Sequence, residues 1–177
     1  MRLPVGKIEQ AASTKESRYT LKAVKLDVEN KRMMATDGHI LAIVPVEVDA
    51  TDHSGLLSVD SMKQIRAMQR RSKSIPVNIA VNGKATATGK SETSEFELVT
   101  GQFPNVDAVI PTGGKYEGPA TVCFNVDLLV RLAKALGADE AHQGTIVQLW
   151  IKDASSPVLV KTSENPEAIG VLTPCRP

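Results

Sequence analysis

Residues 32–48 read Arg32-Met33-Met34-Ala35-Thr36-Asp37-Gly38-His39-Ile40-Leu41-Ala42-Ile43-Val44-Pro45-Val46-Glu47-Val48, two apolar runs split by Asp37-Gly38. A turn dipeptide between two such runs predicts an antiparallel strand pair, Arg32 to Thr36 and Leu41 to Val48. Just upstream, Tyr19, Leu21 and Ala23 alternate with polar residues, and then Val24, Leu26 and Val28 do so in the opposite phase. That predicts one long strand with an irregularity near Ala23, leading into a turn at Glu29-Asn30-Lys31. Three strands in succession therefore occupy the end of residues 1–50.

The same order recurs twice. Val77, Ile79 and Val81 alternate up to Asn82-Gly83, the strongest hairpin signal in the chain, and strands are expected over Lys84 to Thr88 and Glu95 to Thr100. Ile146 to Ile151, Pro157 to Lys161 and Ala168 to Leu172 read as the last three. A short strand and a helix precede each triplet. The helices are a weak one over Val5 to Ser13, one from an Asp60 N-cap to about Arg71, and one from an Asn125 N-cap to Leu136, stopped by Gly137. Their leading strands are Arg2 to Val5, Gly55 to Val59 and Thr121 to Phe124. The chain thus reads as an α+β protein of three strand-helix-strand-strand-strand (βαβββ) units, 1–50, 54–112 and 118–177, each of about 60 residues. The Pro111 to Pro119 stretch, rich in Gly and Pro, is the one linker-like segment.

Composition narrows the function. Among 177 residues, 21 are basic and 20 acidic, so a whole-chain basic excess is absent and any nucleic-acid contact must be local. Aromatic residues make up only 3 %, which argues against base-stacking platforms for single strands. Cys123 and Cys175 lie far apart in sequence and read as free thiols, and no pair among His39, His53 and His142 has zinc-site spacing. No metal or cofactor is expected. No apolar run approaches a membrane span and the first ten residues lack a signal-like apolar core, so the expected compartment is the cytoplasm.

Two constellations stand out. Lys63, Arg66 and Arg70 share one face of the second helix, opposite Met62, Ile65 and Met68, and Arg71 and Lys73 extend the charge. This is either a face that tracks phosphates without reading sequence or an ordinary solvated helix face. Arg131 and Lys134 give the third helix a weaker version. Asp37 and His39 flank a glycine, but no nucleophile or metal ligand is spaced to make a catalytic site of them, so a tight turn is expected there and enzymatic activity is not.

Several segments resemble one family in the order in which that family carries them. Ala35 to Ala42 resembles the ATDGHRLA signature of the middle domain of the bacterial DNA polymerase III beta subunit, the sliding clamp. Arg18-Tyr19-Thr20-Leu21 is similar to that domain's RYYL-like strand, and Leu98 to Asn105 to the segment that closes it. Val122 to Leu129, Ser155 to Val158 and Val171 to Arg176 resemble parts of the second half of the last domain, including its VMPMR-like tail. Ile40 and Ala108 stand where the family usually or often has Arg. The resemblance implies a DNA-clamp fold, with antiparallel sheets outside and short helices inside. It assigns 1–112 to a complete clamp domain and 118–177 to half of another.

The implied function is that of a replication processivity factor, with no catalytic step. It would bind duplex DNA through Lys63, Arg66, Arg70, Arg71, Lys73, Arg131 and Lys134. It would tether a DNA polymerase or other carriers of the clamp-binding motif through a groove of Leu21, Thr36, Gly38, His39, Leu41, Pro104, Val109, Asn125, Val171, Leu172, Pro174 and Arg176. An alternative is a clamp-like adaptor or decoy that binds such peptides without forming a ring. The lone third unit has an apolar helix stripe, Leu129, Leu132 and Leu136, that needs a covering layer. The expected cover is a second chain, giving an obligate homodimer through 118–177 and, at twelve units per complete ring, a four-chain ring; the alternative is that the third unit packs back on the chain's own first two, leaving a monomer.

Overall fold

The computed structural model describes residues 1, 6–15, 20–72, 78–110, 122–138 and 146–175. The expected strand at Arg2 to Val5, the linker at 111–119, Tyr19, Lys73 and Arg176 lie outside them. Among these residues, ten strands form two antiparallel sheets. The large sheet has the order β4 (Gly55–Ser58), β1 (Ala23–Asp27), β2 (Arg32–Thr36), β3 (Ile40–Pro45), β10 (Asn165–Leu172), β9 (Val158–Thr162), β8 (Val147–Trp150). The small one is β5 (Asn78–Asn82), β6 (Lys84–Thr88), β7 (Thr93–Glu97). Helices α1 (Val59–Ser72) and α2 (Val126–Ala135) and a 3-10 turn at Ile8–Ala11 complete the frame.

Both faces of the large sheet are covered, which is why its central strands read as continuous apolar runs. Along β3, Ile40, Ala42 and Val44 face an inner core with α1, α2 and the 3-10 turn, whereas Leu41 and Ile43 face an outer cluster. The segment after β7 covers that outer face, burying Phe103 and Val106 against Leu41, Leu56 and Val171. Arg32 fixes the segment with two hydrogen bonds to the Asp107 carboxylate, at 2.7 and 2.9 Å, while its Nε donates to Asp27 at 3.0 Å. The small sheet buries one face only, so β5 alternates cleanly, with Ile79 and Val81 inside.

Local departures from expectation have local causes. Residues 20–22 form a 3-10 turn, and β1 starts only at Ala23, where the apolar phase changes. The first helix is a single 3-10 turn, because Gly6 has φ +86° and Ala12 is extended, with Ser13 donating to the Leu21 carbonyl. The cap of α1 is Ser58, whose Oγ accepts the Ser61 amide at 3.0 Å and pairs with the Ser61 hydroxyl. Asp60 is already inside the helix, where its charge suits the N-terminal dipole. Asn125 caps α2 as expected, accepting from the Asp127 amide at 2.9 Å.

The largest departure concerns the third unit. Its strand β10 pairs with β3 of the first unit, Val171 opposite Leu41 and Gly170 opposite Ala42, so one sheet and one inner core run through both. Leu132 and Leu136 are completely buried against that core, and Leu129 packs at its edge. The Lys7 amide donates to the Lys134 carbonyl across the same seam. The stripe of α2 is therefore covered by the chain's own first unit. No second chain is needed to cover it, so this stripe gives no ground for the expected obligate dimer through 118–177 or for the four-chain ring built from it.

Candidate functional site

Two surface features collect the expected residues. The first is an open cleft of about 530 Å³ between α1 and the 3-10 turn, lined by Lys7, Lys63, Arg66, Arg70 and Arg131 among others. These cations are not equivalent. Lys63 is two-thirds exposed, and its contact with Asp60 is a 3.5 Å surface pair one helical turn away, weak in water. Arg70 is exposed. Arg66 is largely buried: its Nε donates to both oxygens of the buried Glu9 carboxylate, at 2.7 and 2.9 Å, and its Nη2 to the Gly6 carbonyl. Glu9 neutralises that guanidinium and gives it a packing role.

Arg131 is likewise a bracket. Its guanidinium donates to the Gln10 carbonyl at 3.1 Å and the Ala12 carbonyl at 3.3 Å, and meets the Asp37 carboxylate at 3.2 Å. Arg71 lies on another face of α1, held by Glu92 with hydrogen bonds of 2.9 and 3.0 Å. Lys134 is half-buried and does not line the cleft. Of the seven expected DNA contacts, Lys63 and Arg70 thus present exposed charge to the cleft. Periodicity identified the face, but the partner Glu9 comes from a distant segment and had no signal in the helix itself.

The second feature is a shallow groove of about 100 Å³ on the outer side of the join between β3 and β10. The turn after β2 builds one side. Asp37 Oδ1 accepts the amides of His39 and Ile40 at 2.8 and 3.0 Å, and Thr36 Oγ1 donates to the Ile40 carbonyl at 2.6 Å. Gly38 takes φ +91°, a conformation side chains disfavour. With Arg131 on its other oxygen, Asp37 is a structural carboxylate, in keeping with the turn reading of this motif. The other side is Val171 and Thr173, and the Thr173 amide donates to the His39 carbonyl at 3.1 Å. Val109, half-exposed on a 3-10 turn, and Pro157 complete the wall.

Six of the expected groove residues meet here: Thr36, Gly38, His39, Leu41, Val109 and Val171. Leu172 does not, because strand alternation turns it into the inner core, where it is fully buried. Leu21, Pro104, Asn125 and Pro174 do not line it either, and Ile40, Pro157 and Thr173 do. Ile40 is 2 % exposed with its side chain in the inner core, so the family's Arg position contributes no charge. No Asp, Glu, Lys or Arg lines the groove among the described residues. Nor do they hold any group of acidic, histidine or cysteine side chains fit to bind a metal.

No family model matches the sequence, and no curated protein matches it. Solved structures do. The DNA polymerase III beta subunit of Pseudomonas aeruginosa superposes with a TM-score of 0.76 at 20 % identity, over 96 % of this chain and 63 % of its own. The beta subunit of Thermotoga maritima gives 0.76 at 16 % identity, over 100 % and 66 %.

The fold is that of a bacterial sliding clamp.

The C. crescentus beta sliding clamp gives a TM-score of 0.67 at 16 % identity, over 99 % of this chain and 65 % of that one. The chain spans about two thirds of the length of these clamp subunits. Identities this low establish the fold alone. Among the described residues, no helix is long and apolar enough to cross a membrane.

Proposed function

We propose that the chain is a sliding-clamp-like processivity factor, which binds duplex DNA without sequence preference and tethers a polymerase or repair partner through a short peptide. Residues 1–112 correspond in this reading to the clamp's middle domain and 118–177 to the second half of its last. No catalytic step belongs to it. The observation that carries it is the convergence, on a clamp fold, of three segments distant in sequence on one groove without Asp, Glu, Lys or Arg in its lining. These are the Thr36–Leu41 turn, Val109, and Val171 with Thr173. Burial of one apolar anchor between Leu41, Val109, Pro157 and Val171 would hold the peptide. Lys63 and Arg70 would supply two phosphate contacts at the cleft.

The test is fluorescence anisotropy of a labelled random-sequence duplex titrated with the chain at several salt concentrations. The reading expects binding that weakens linearly in log–log salt and is indifferent to sequence. Affinity independent of salt, or confined to one sequence, would refute it.

A further inference from the structure

The chain's only two cysteines are placed against each other by the fold. Cys123, just before the α2 cap, and Cys175, just after β10, are opposite partners in an isolated antiparallel bridge, and the Cys175 amide donates to the Cys123 carbonyl at 2.7 Å. Directly opposed residues carry their side chains on the same side of a ladder, and in a hydrogen-bonded pair their Cα atoms lie about 5.5 Å apart. Disulfides span Cα separations of about 4.4–6.8 Å but need Cβ atoms about 3.5–4.5 Å apart, and directly opposed Cβ atoms lie about 4.5–5.5 Å apart, so closing the bond draws the two backbones together by about 1 Å. Both thiols are free, Cys175 exposed and Cys123 half-buried. A chance pairing of two cysteines 52 residues apart has no packing role here, since neither belongs to a core cluster.

We propose that Cys123 and Cys175 form a reversible dithiol–disulfide site that fixes the segment after β10 to the start of α2. The oxidant is a low-molecular-weight disulfide such as oxidised glutathione. The exposed Cys175, as thiolate, attacks one sulfur of that disulfide, forming a mixed disulfide and releasing the first small thiol. Cys123, as thiolate, then attacks the Cys175 sulfur and releases the second. Two protein thiols become one disulfide, and one small disulfide becomes two thiols. The bond closes a long loop that contains α2, β8, β9 and β10, and so restricts the unfolded chain strongly. It also holds Thr173, two residues away, against the His39 carbonyl at the groove wall.

The intact chain, treated with oxidised glutathione and separately with dithiothreitol, is compared by intact mass, thiol alkylation and thermal denaturation. The expected oxidised product is a monomer that has lost two hydrogens, resists alkylation at both positions, and melts on the order of 5–10 °C higher than the reduced form. Dithiothreitol restores the reduced mass and melting temperature. Cys123→Ser stops at the glutathione adduct on Cys175 and shows no rise in melting temperature. A wild-type chain that accumulates only glutathione adducts or disulfide-linked dimers, or whose internal bond leaves the melting temperature unchanged, overturns the proposal. None of these readouts depends on DNA or peptide binding, so failure here is distinguishable from failure of the proposed function.

Discussion

Replacing Gly6 by alanine strikes the seam where the first unit meets the third. A Cβ on Gly6 would lie 2.7 Å from the Gly137 nitrogen, 2.8 Å from the Ala135 carbonyl oxygen and 2.9 Å from the Gly137 Cα. All three are backbone atoms at the end of α2, so no flexible side chain can swing aside. Relief requires that the Gly6 loop and the helix end move apart. That movement stretches the bond from the Lys7 amide to the Lys134 carbonyl and the one from Arg66 to the Gly6 carbonyl. Overpacking of this kind costs about 1–3 kcal/mol, and an alanine at φ +86° adds about 1–2 kcal/mol. The sum, about 2–5 kcal/mol, is a large part of an ordinary domain's stability. Gly83→Ala is the control: φ is +71° there, but no atom lies within 4 Å of the new Cβ, so it bears the conformational cost alone. At roughly 2–4 °C per kcal/mol for a chain of this size, Gly6→Ala should melt about 4–20 °C below wild type and Gly83→Ala only about 2–8 °C. Thermal denaturation followed by circular dichroism, at one fixed concentration, gives both values. Equal losses in the two variants would mean that α2 is not seated on the Gly6 loop, and the in-chain cover of the third unit would fail.

The cleft cations should divide by partner. Lys63→Ala with Arg70→Ala should lower the log–log salt slope of duplex binding by about two without changing the melting temperature. Arg66→Ala should instead destabilise the chain by about 3 kcal/mol, because it strands the buried Glu9 carboxylate, and denaturant titration measures this. The Asp107 carboxyl is held below the usual carboxylate range by hydrogen bonds from the Arg32 guanidinium, against the opposing effect of burial. A carboxylate whose folded pKa is depressed stabilises the fold above its unfolded value, about 3.9, and loses that contribution as pH falls through the folded value. The stability gap between wild type and Asp107→Asn should therefore persist at neutral pH and close as pH falls below about 4, whereas a gap independent of pH would contradict the pairing. Val109→Asp, at a half-exposed groove position, should weaken a clamp-binding peptide at least about tenfold in anisotropy titrations while leaving the melting temperature unchanged.

Deletion of residues 171–177 is a poor probe of the groove, because it removes Leu172 from the inner core and four rungs' worth of pairing disappear at its end of β10. That difference between Val171 and its neighbour illustrates what sequence makes legible. The pattern locates β2 and β6 to the residue, since each is bounded by turn residues that act locally, Asn30-Lys31 and Asp37-Gly38 for one, Asn82-Gly83 for the other. It does not tell which of two successive apolar residues faces inward when both faces of a sheet are covered, as on β3 and β10. The join between β3 and β10 pairs residues more than 120 positions apart, and no local signal encodes it. The same holds for Glu9 under Arg66 and Asp37 under Arg131, ion pairs that turn two cations from a periodic basic face into structural brackets. Of the residues that line the groove, Thr36, Gly38, His39, Leu41, Val109 and Val171 were expected there; Pro157 and Thr173 lie inside family-like motifs but were not assigned to it, because their place depends on how the third unit packs on the first.

In the proposed function a partner peptide binds at the junction of β3 and β10. The most direct measurement is a two-dimensional amide correlation spectrum of the labelled chain, recorded during titration with a peptide that carries a bacterial polymerase's clamp-binding motif. Saturable shifts are expected at Gly38, His39, Leu41, Val109, Val171 and Thr173, with the amides of the small sheet unmoved. An unchanged spectrum at millimolar peptide, or shifts centred on the small sheet, would contradict it.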